Sequence, residues 1–180
     1  MAPVKSGERY FYVWSHRKNI GTPLDTGSML MIAEFDPVHP ERLTSEPKCL
    51  SRPLYGFENT EHTINNEGPY AFYYNNKIYL AYSGGDARGY LYAIGMLTAN
   101  DGDNLCDLSV WEKAKTPIAS FATIPGEYGP GHNSFFWDRD QNLWIVYHAV
   151  TSFEEKIVSS GMRRVYFEQD KTPRFDVIVE

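Results

Sequence analysis

Two polar side chains occupy equivalent places in two similar stretches of this sequence. Glu67 and His132 each follow turn-forming residues, and each comes just before a run of alternating aromatic residues. They lie 65 positions apart, and the strands that follow align at the same offset, residues 77–83 with residues 142–148. Because a carboxyl group and an imidazole can both hydrogen-bond to a small molecule or exchange protons with it, this shared register is the first indication of a site.

A third copy of the same strand precedes the other two. Residues 9–15 align with residues 77–83 at an offset of 68. Repetition at a period of a few tens of residues, with several short strands in each unit, is typical of a β-propeller or a solenoid. The chain is therefore predicted to be one incomplete β-propeller domain over residues 1–180, with three blades at approximately residues 1–60, 61–125 and 126–180.

The propeller architecture predicts where the two polar residues meet. The innermost strand of each blade begins near the central axis, so equivalent positions converge on one face, beside a channel where small molecules bind. The sequence leaves a plainer interpretation open for each residue. Glu67 is alternatively a turn carboxylate that accepts backbone N–H bonds, and His132 is alternatively a core imidazole with its hydrogen bonds satisfied inside the fold.

Alternating apolar residues place the strands within each blade. No stretch of the sequence shows helical periodicity, so the predicted fold class is all-β, built from four-stranded antiparallel sheets. Residues 107–111 are expected to form either a single helical turn or a packed loop, and residues 152–161 a loop. The predicted strands lie at residues 8–15, 28–35, 48–52, 70–74, 77–83, 90–98, 116–121, from 133 onward, 143–150, 163–169 and 174–179.

Composition excludes several classes of partner. The 180 residues carry a formal net charge of −6, and an acidic chain offers no basic field to phosphate backbones or anionic lipid, so neither nucleic acid nor membrane is expected. No apolar run approaches the roughly 18 residues that span a bilayer. The N-terminus lacks the features of a signal peptide. A cytoplasmic location is therefore expected if Met1 is the true start, and an extracellular one if an upstream signal peptide is missing.

Three stretches resemble glycoside hydrolase family 43. They are Asn-Glu-Gly-Pro (residues 66–69), Tyr-Gly-Pro-Gly-His-Asn-Ser-Phe (residues 128–135), and Leu-Thr-Ala (residues 97–99) with the later Asp-Leu-Ser-Val-Trp (residues 107–111). The Gly-Pro-Gly-His-Asn-Ser run is the most specific of them. The resemblance implies a five-bladed β-propeller and a hydrolase that removes terminal arabinofuranosyl or xylosyl residues from plant-type polysaccharides or oligosaccharides by inversion.

The resemblance also implies roles for individual residues. Glu67 would be the general acid, which protonates the oxygen of the leaving group. His132 would contact the substrate and lie beside a central cation, often calcium, that is bound largely through water, since imidazole is an unusual direct ligand for so hard a cation. Apart from the resemblance, Arg163 is a candidate for hydrogen-bonding sugar hydroxyls, as is its neighbour Arg164. The alternative for both arginines is an ordinary surface cation.

The chain departs from the family pattern at its other carboxylates. The base aspartate of the family opens a blade for which this chain has no room, and the position of the tuning aspartate falls on Met1. Four aspartates lie in predicted hairpins or outer turns and are not expected to replace the base: Asp25, Asp36, Asp86 and Asp103.

The chain is therefore expected to be the C-terminal part of a propeller, about three of five blades, and the missing aspartates leave open whether the isolated chain is active. Its open sheet edges are expected to pair with a missing N-terminal segment or with another copy. Two further interpretations stay open: a carbohydrate-binding or decayed fragment that lacks the base, and a segment that binds other proteins.

Overall fold

The computed structural model describes residues 1–152, 154 and 157–177, and these residues form three four-stranded antiparallel sheets. In every sheet the strands lie side by side in chain order. The strands are β1 (Ala2–Ser6), β2 (Arg9–His16), β3 (Met29–Glu34) and β4 (Lys48–Ser51) in the first sheet, β5 (Asn66–Tyr74), β6 (Lys77–Gly84), β7 (Ala93–Asn100) and β8 (Glu112–Lys113) in the second, and β9 (Tyr128–Trp137), β10 (Leu143–Val150), β11 (Val158–Phe167) and β12 (Pro173–Arg174) in the third.

Two apolar cores separate the three sheets, and the second sheet contributes to both. Strand β6 shows how one sequence serves two cores. Ile78, Leu80 and Tyr82 belong to the core shared with the first sheet, whereas Tyr79 and Ala81 belong to the core shared with the third. Because both faces are buried, β6 reads as an almost continuous apolar run, and the second sheet is the central layer.

The first strand of each sheet positions the site. β1, β5 and β9 each form one edge of their own sheet, and β5 contacts both β1 and β9. This convergence of first strands is the arrangement of adjacent propeller blades. The predicted fold class, an all-β partial propeller with about three blades of four-stranded antiparallel sheet, is confirmed.

Only short turns of helix interrupt the sheets in the described part of the chain. They are 3₁₀ turns at Gly56–Glu58 and Leu108–Val110, and the second shows that residues 107–111 take the helical one of their two predicted forms. Asp107 caps that turn by accepting a hydrogen bond from the backbone N–H of Ser109. Among the described residues, no helix is long and apolar enough to cross a membrane.

The outer strand of the second sheet lies elsewhere than predicted. The sequence placed it at residues 116–121, but β8 is formed by Glu112–Lys113, and residues 116–121 contribute only an isolated bridge between Ala119 and Ile94. Pro117 lacks the N–H that a ladder requires. The sequence analysis assigned no strand to the two charged residues of β8, and Lys113 is mostly buried, paired with Glu58.

Strand β11 begins earlier than predicted, which corrects the loop assigned to residues 152–161. Val158 pairs with Val150 and Gly161 with Tyr147, so at least residues 158–161 are strand. The Ser-Ser-Gly composition suggested a loop, but a Cβ on Gly161 would lie 2.6 Å from the Tyr147 ring, so the glycine is needed for close packing. The predicted last strand, residues 174–179, overlaps β12 only at Arg174, and its end lies outside the described residues.

Candidate active site

Glu67 lies near the start of β5, where the strand is irregular. Glu67 pairs with Ser83, and a bulge follows before pairing resumes between Tyr70 and Ala81. Within the bulge Gly68 has a φ of 56°, and a Cβ built there would lie 3.4 Å from Nδ1 of His132. The bulge therefore lets the His132 ring approach the backbone next to Glu67.

His132 occupies the matching place in β9. Its φ of 51° is in the left-handed region, and the pairing of β9 with β10 shifts register on both sides of His148. The backbone N–H of His132 donates a hydrogen bond of 2.8 Å to Oγ of Ser83, the residue that pairs with Glu67. The structure thus brings Glu67 and His132 together, as the 65-residue offset indicated.

Two glycines in the Gly-Pro-Gly-His-Asn-Ser run have distinct steric roles. Gly129 has a φ of 58°, and a Cβ there would lie 2.3 Å from the carbonyl oxygen of Gly89. A Cβ on Gly131 would lie 2.0 Å from the ring of Tyr92. The run is therefore glycine-rich because the backbone of β9 packs directly against its neighbours.

Both hydrogen bonds that side chains donate to the Glu67 carboxyl group end on the same oxygen. Oε1 accepts a bond of 2.8 Å from Nδ2 of Asn65 and another of 2.8 Å from the hydroxyl of Tyr92. Tyr92 is fully buried, and that burial, followed by the nearby charge of Glu67, raises its pKa well above the ordinary value. Tyr92 therefore stays protonated and acts as a hydrogen-bond donor to Glu67.

His148 lies next to this cluster. Its ring stacks on Tyr92 at a centroid distance of 5.5 Å, and it lies 6.5 Å from the ring of His132 at an angle of 18°. Burial lowers the pKa of His148, and the neighbouring His132 lowers it further. Nε2 of His148 is buried and has no hydrogen-bond partner among the described residues. His148 is therefore a neutral imidazole at the back of the site.

A pocket of about 320 Å³ contains the two predicted site residues. Volume does not distinguish it, since another pocket of about 320 Å³ lies on the third sheet. The polar side chains that line the pocket distinguish it from the other one. Asn133 is 5% exposed, lines this pocket, and has no partner for either Oδ1 or Nδ2 within the described chain. The pocket is lined by Met1, Ser15, Glu67, Gly68, Pro69, Tyr70, His132 and Asn133.

A buried ion pair supports the start of β5. Glu58 is completely buried, and its Oε1 lies 2.6 Å from Nζ of Lys113. The same oxygen accepts hydrogen bonds from Tyr82 at 2.8 Å and from Nδ2 of Asn66 at 2.9 Å. Its Oε2 accepts the backbone N–H of Tyr55 at 2.8 Å. Because Asn66 directly precedes Glu67, this cluster fixes the backbone from which Glu67 projects.

Arg163 lies in a different place. Its Nε donates a hydrogen bond of 2.9 Å to the hydroxyl of Tyr147, and its guanidinium lies 3.4 Å from Glu127. It lines the second 320 Å³ pocket, together with Trp144 and Arg164, and is absent from the lining of the Glu67 pocket. Contact between Arg163 and substrate stays a prediction that this geometry does not support.

Glu67 is the single carboxylate lining its pocket within the described part of the protein. The four aspartates set aside in the sequence are engaged elsewhere. Asp25 forms a bidentate pair with Arg17 at 2.8 and 2.6 Å. The other three accept backbone hydrogen bonds in surface turns: Asp36 from Val38, Asp86 from Arg88, and Asp103 from Asn100.

The described residues do not supply a calcium site of their own. No group of three or more histidine, cysteine, aspartate or glutamate side chains there surrounds a common point. Calcium takes six to eight oxygen ligands, whereas the pocket offers one carboxyl group beside the imidazole of His132. His132 could therefore serve such an ion only through water or with ligands from outside this part of the chain, and no step below depends on it.

The fold and the site together define a class of protein, in which adjacent propeller blades hold a carboxyl group at the inner ends of their first strands. The sequence profile of Glycosyl hydrolases family 43 matches residues 4–173, and the chain belongs to that family.

Known relatives are similar over most of this chain. It is 37% identical over 79% of its length to an extracellular exo-α-(1→5)-L-arabinofuranosidase of Streptomyces chartreusis, and 29% identical over 98% to the enzyme of that name from Streptomyces avermitilis. The crystal structure of an α-L-arabinofuranosidase from Lactobacillus brevis superposes on 96% of the chain with a TM-score of 0.81 and 28% identity. The chain spans 42%, 37% and 54% of the lengths of these three proteins.

Several residues of the site were missed from sequence. Tyr92 and Asn65 hydrogen-bond to Glu67, Ser83 accepts a hydrogen bond from His132, and His148 lies beside the His132 ring, but all four were read only as strand or turn residues. A signal was available for two of them, since Ser83 and His148 occupy equivalent positions of the repeat that aligns Glu67 with His132. Tyr92 had none, because it precedes β7 and reaches the site only through packing.

Proposed function

We propose that this chain is part of a glycoside hydrolase that removes terminal arabinofuranosyl residues from plant-type polysaccharides or oligosaccharides, with xylosyl residues as the alternative substrate. The names of the similar proteins support the arabinofuranosyl group. The observation that carries the proposal is the placement of Glu67: its Oε1 is held by two hydrogen-bond donors, in a pocket that it shares with His132.

In this proposal Glu67 donates its proton to the glycosidic oxygen as the bond to the sugar breaks. An inverting enzyme also needs a carboxylate base about 6.5–9.5 Å away, on the other side of the sugar, to activate water. The described lining of the pocket provides no second carboxylate. The base must then come from polypeptide that packs against these blades.

Hydrolysis of aryl α-L-arabinofuranoside and aryl β-xyloside tests this function. The chain is assayed alone and together with polypeptide that completes the propeller, each with and without Glu67→Gln. Activity in the completed propeller, lost on Glu67→Gln by about 10²-fold or more, supports the proposal. Equal activity in both Glu67 forms contradicts it.

Sugar binding without hydrolysis is the second candidate, and the single carboxylate in the pocket favours it for the isolated chain. Isothermal titration calorimetry with arabino-oligosaccharides would then measure binding, no sugar would be released, and Glu67→Gln would leave the affinity unchanged. Release of sugar by the isolated chain would exclude this candidate.

The outer faces of the first and third sheets support the proposal of a protein partner, either an N-terminal segment or a second copy. On β2, Tyr10, Tyr12 and Trp14 are only half-buried, and on the third sheet Phe136 and Met162 are exposed. Both faces are turned away from the central sheet and are apolar. Sedimentation of the isolated chain, measured over a range of concentrations, distinguishes a monomer from a self-associating chain.

A calcium ion near His132 is proposed only for the completed propeller. Calorimetric titration of calcium into the completed propeller, repeated with His132→Ala, tests it. Loss of calcium affinity in the variant supports the proposal, and equal affinity contradicts it.

A further inference from the structure

Two hydrogen-bond donors converge on one oxygen of Glu67. The hydroxyl of Tyr92 donates to Oε1 of Glu67 at 2.8 Å. Tyr92 is fully buried and stays protonated because burial raises its pKa, so its O–H is the donor and the carboxyl oxygen accepts.

The second donor to Oε1, Asn65, has its direction fixed by a backbone group. Nδ2 of Asn65 donates to Glu67 at 2.8 Å and to the backbone carbonyl of Gly85 at 3.0 Å. A carbonyl oxygen can only accept, and rotating the Asn65 amide would place two oxygens against each other at Gly85. The amide group of Asn65 therefore presents its NH₂ group to Glu67.

The Asn65 donor is thus oriented by a backbone carbonyl that cannot reverse, and the buried, protonated hydroxyl of Tyr92 donates to the same oxygen. With two hydrogen bonds arriving, Oε1 of Glu67 has no room for a proton of its own, whereas Oε2 holds no hydrogen bond from the described residues. We propose that Tyr92 and Asn65 are positioning residues that make Oε1 the acceptor and place the exchangeable proton of Glu67 on Oε2, from which it is delivered to the substrate. The delivery step rests on the proposed function, but the position of the proton does not.

The arrangement also links the two equivalent positions of the 65-residue repeat. The backbone N–H of His132 donates to Oγ of Ser83 at 2.8 Å, and Ser83 pairs with Glu67 across β5 and β6.

Infrared difference spectroscopy tests where the proton lies, whether or not the protein is active. The C=O stretch of a protonated carboxyl group falls in frequency when its carbonyl oxygen accepts hydrogen bonds. The Glu67 band is assigned in acid as the band lost in Glu67→Gln. We expect a low frequency for the folded chain and a large rise in frequency in Tyr92→Phe.

Tyr147→Phe is the matched control, because the Tyr147 hydroxyl also donates to a carboxylate, Glu127 at 2.6 Å, outside the site. It should leave the Glu67 band unchanged, and circular dichroism confirms that each variant is folded. Asn65→Ala provides a second variant if Tyr92→Phe does not fold. A Glu67 band that stays in place when either donor is removed overturns the proposal.

Kinetics separate this proposal from the proposed function. In the completed propeller, Tyr92→Phe should lower kcat on the order of 10-fold for aryl arabinofuranosides with poor leaving groups, which need protonation. It should change kcat far less for good leaving groups, with KM unchanged. Shifted infrared bands without hydrolysis would refute the function and retain the position of the proton, whereas an equal loss for both kinds of leaving group would indicate a merely structural role.

Discussion

Glu58 and Glu67 lie nine positions apart in the sequence, yet the protein uses the two carboxylates in opposite ways. Glu58 is completely buried, pairs with Lys113, and has both oxygens occupied. Glu67 is partly exposed, has only neutral side-chain donors, and both of them bind one oxygen. A carboxylate that is fully paired with a cation has no proton to exchange. A carboxylate that is bound through only one of its oxygens leaves its second oxygen free to react.

Breaking the Glu58 ion pair is expected to have the largest effect on stability. Glu58→Gln leaves the buried ammonium group of Lys113 without an opposite charge, which costs about 3–5 kcal/mol of unfolding free energy. Urea titration measures this loss. Glu34→Gln is the control, because it breaks a pair with Arg9 that is more exposed, 40% and 24% for the two side chains, and should cost about 1 kcal/mol or less. Equal losses would show that burial of the pair is unimportant.

The corresponding change at Glu67 should have little effect on stability. In Glu67→Gln the amide oxygen can still accept from Asn65 and Tyr92, so we expect a change within about 1 kcal/mol in the same titration. The comparison would break if Glu67→Gln destabilised the fold as much as Glu58→Gln does, because Glu67 would then be a structural carboxylate.

The glycine beside Tyr92 tests how tightly the site is packed. Gly131→Ala forces a methyl group to within 2.0 Å of the Tyr92 ring, which should cost about 1–3 kcal/mol. It should also displace the hydroxyl from Glu67. Gly56→Ala is the control, since a Cβ there meets nothing within 4 Å. Thermal unfolding of the two variants should differ clearly, and equal melting temperatures would mean that β9 shifts freely.

The smallest effect concerns His148 and the pH dependence of stability. Its pKa is lowered in the folded state, first by burial and then by His132. The unfolded chain therefore binds the proton more readily, and stability falls as the pH drops from about 6.5 towards the lower folded value. Glu67 and His132 face His148 from β5 and β9, so urea midpoints are compared between the wild type and His148→Gln. The stability of His148→Gln should fall less than that of the wild type as the pH drops. An unchanged pH profile would contradict the assignment of this decline to His148.

Much of the architecture was predictable because each strand carries its own pattern. The positions of β2, β3, β6 and β10 follow from short apolar runs between turn residues, and the register of the repeat places Glu67 beside His132. The prediction failed where burial of a charge contradicted the local pattern. Nothing next to Lys113 in the sequence indicates its burial in β8, because its partner Glu58 lies 55 positions earlier.

The sequence by itself determined the number of sheets and the meeting of an acid with an imidazole, because both are encoded in a repeat that can be read along the chain. Only the tertiary structure decided which oxygen of Glu67 is held and by which residues. Tyr92 and Asn65 reach Oε1 through a bulge and through backbone groups of other segments, and the direction of a hydrogen bond depends on where those groups lie in space.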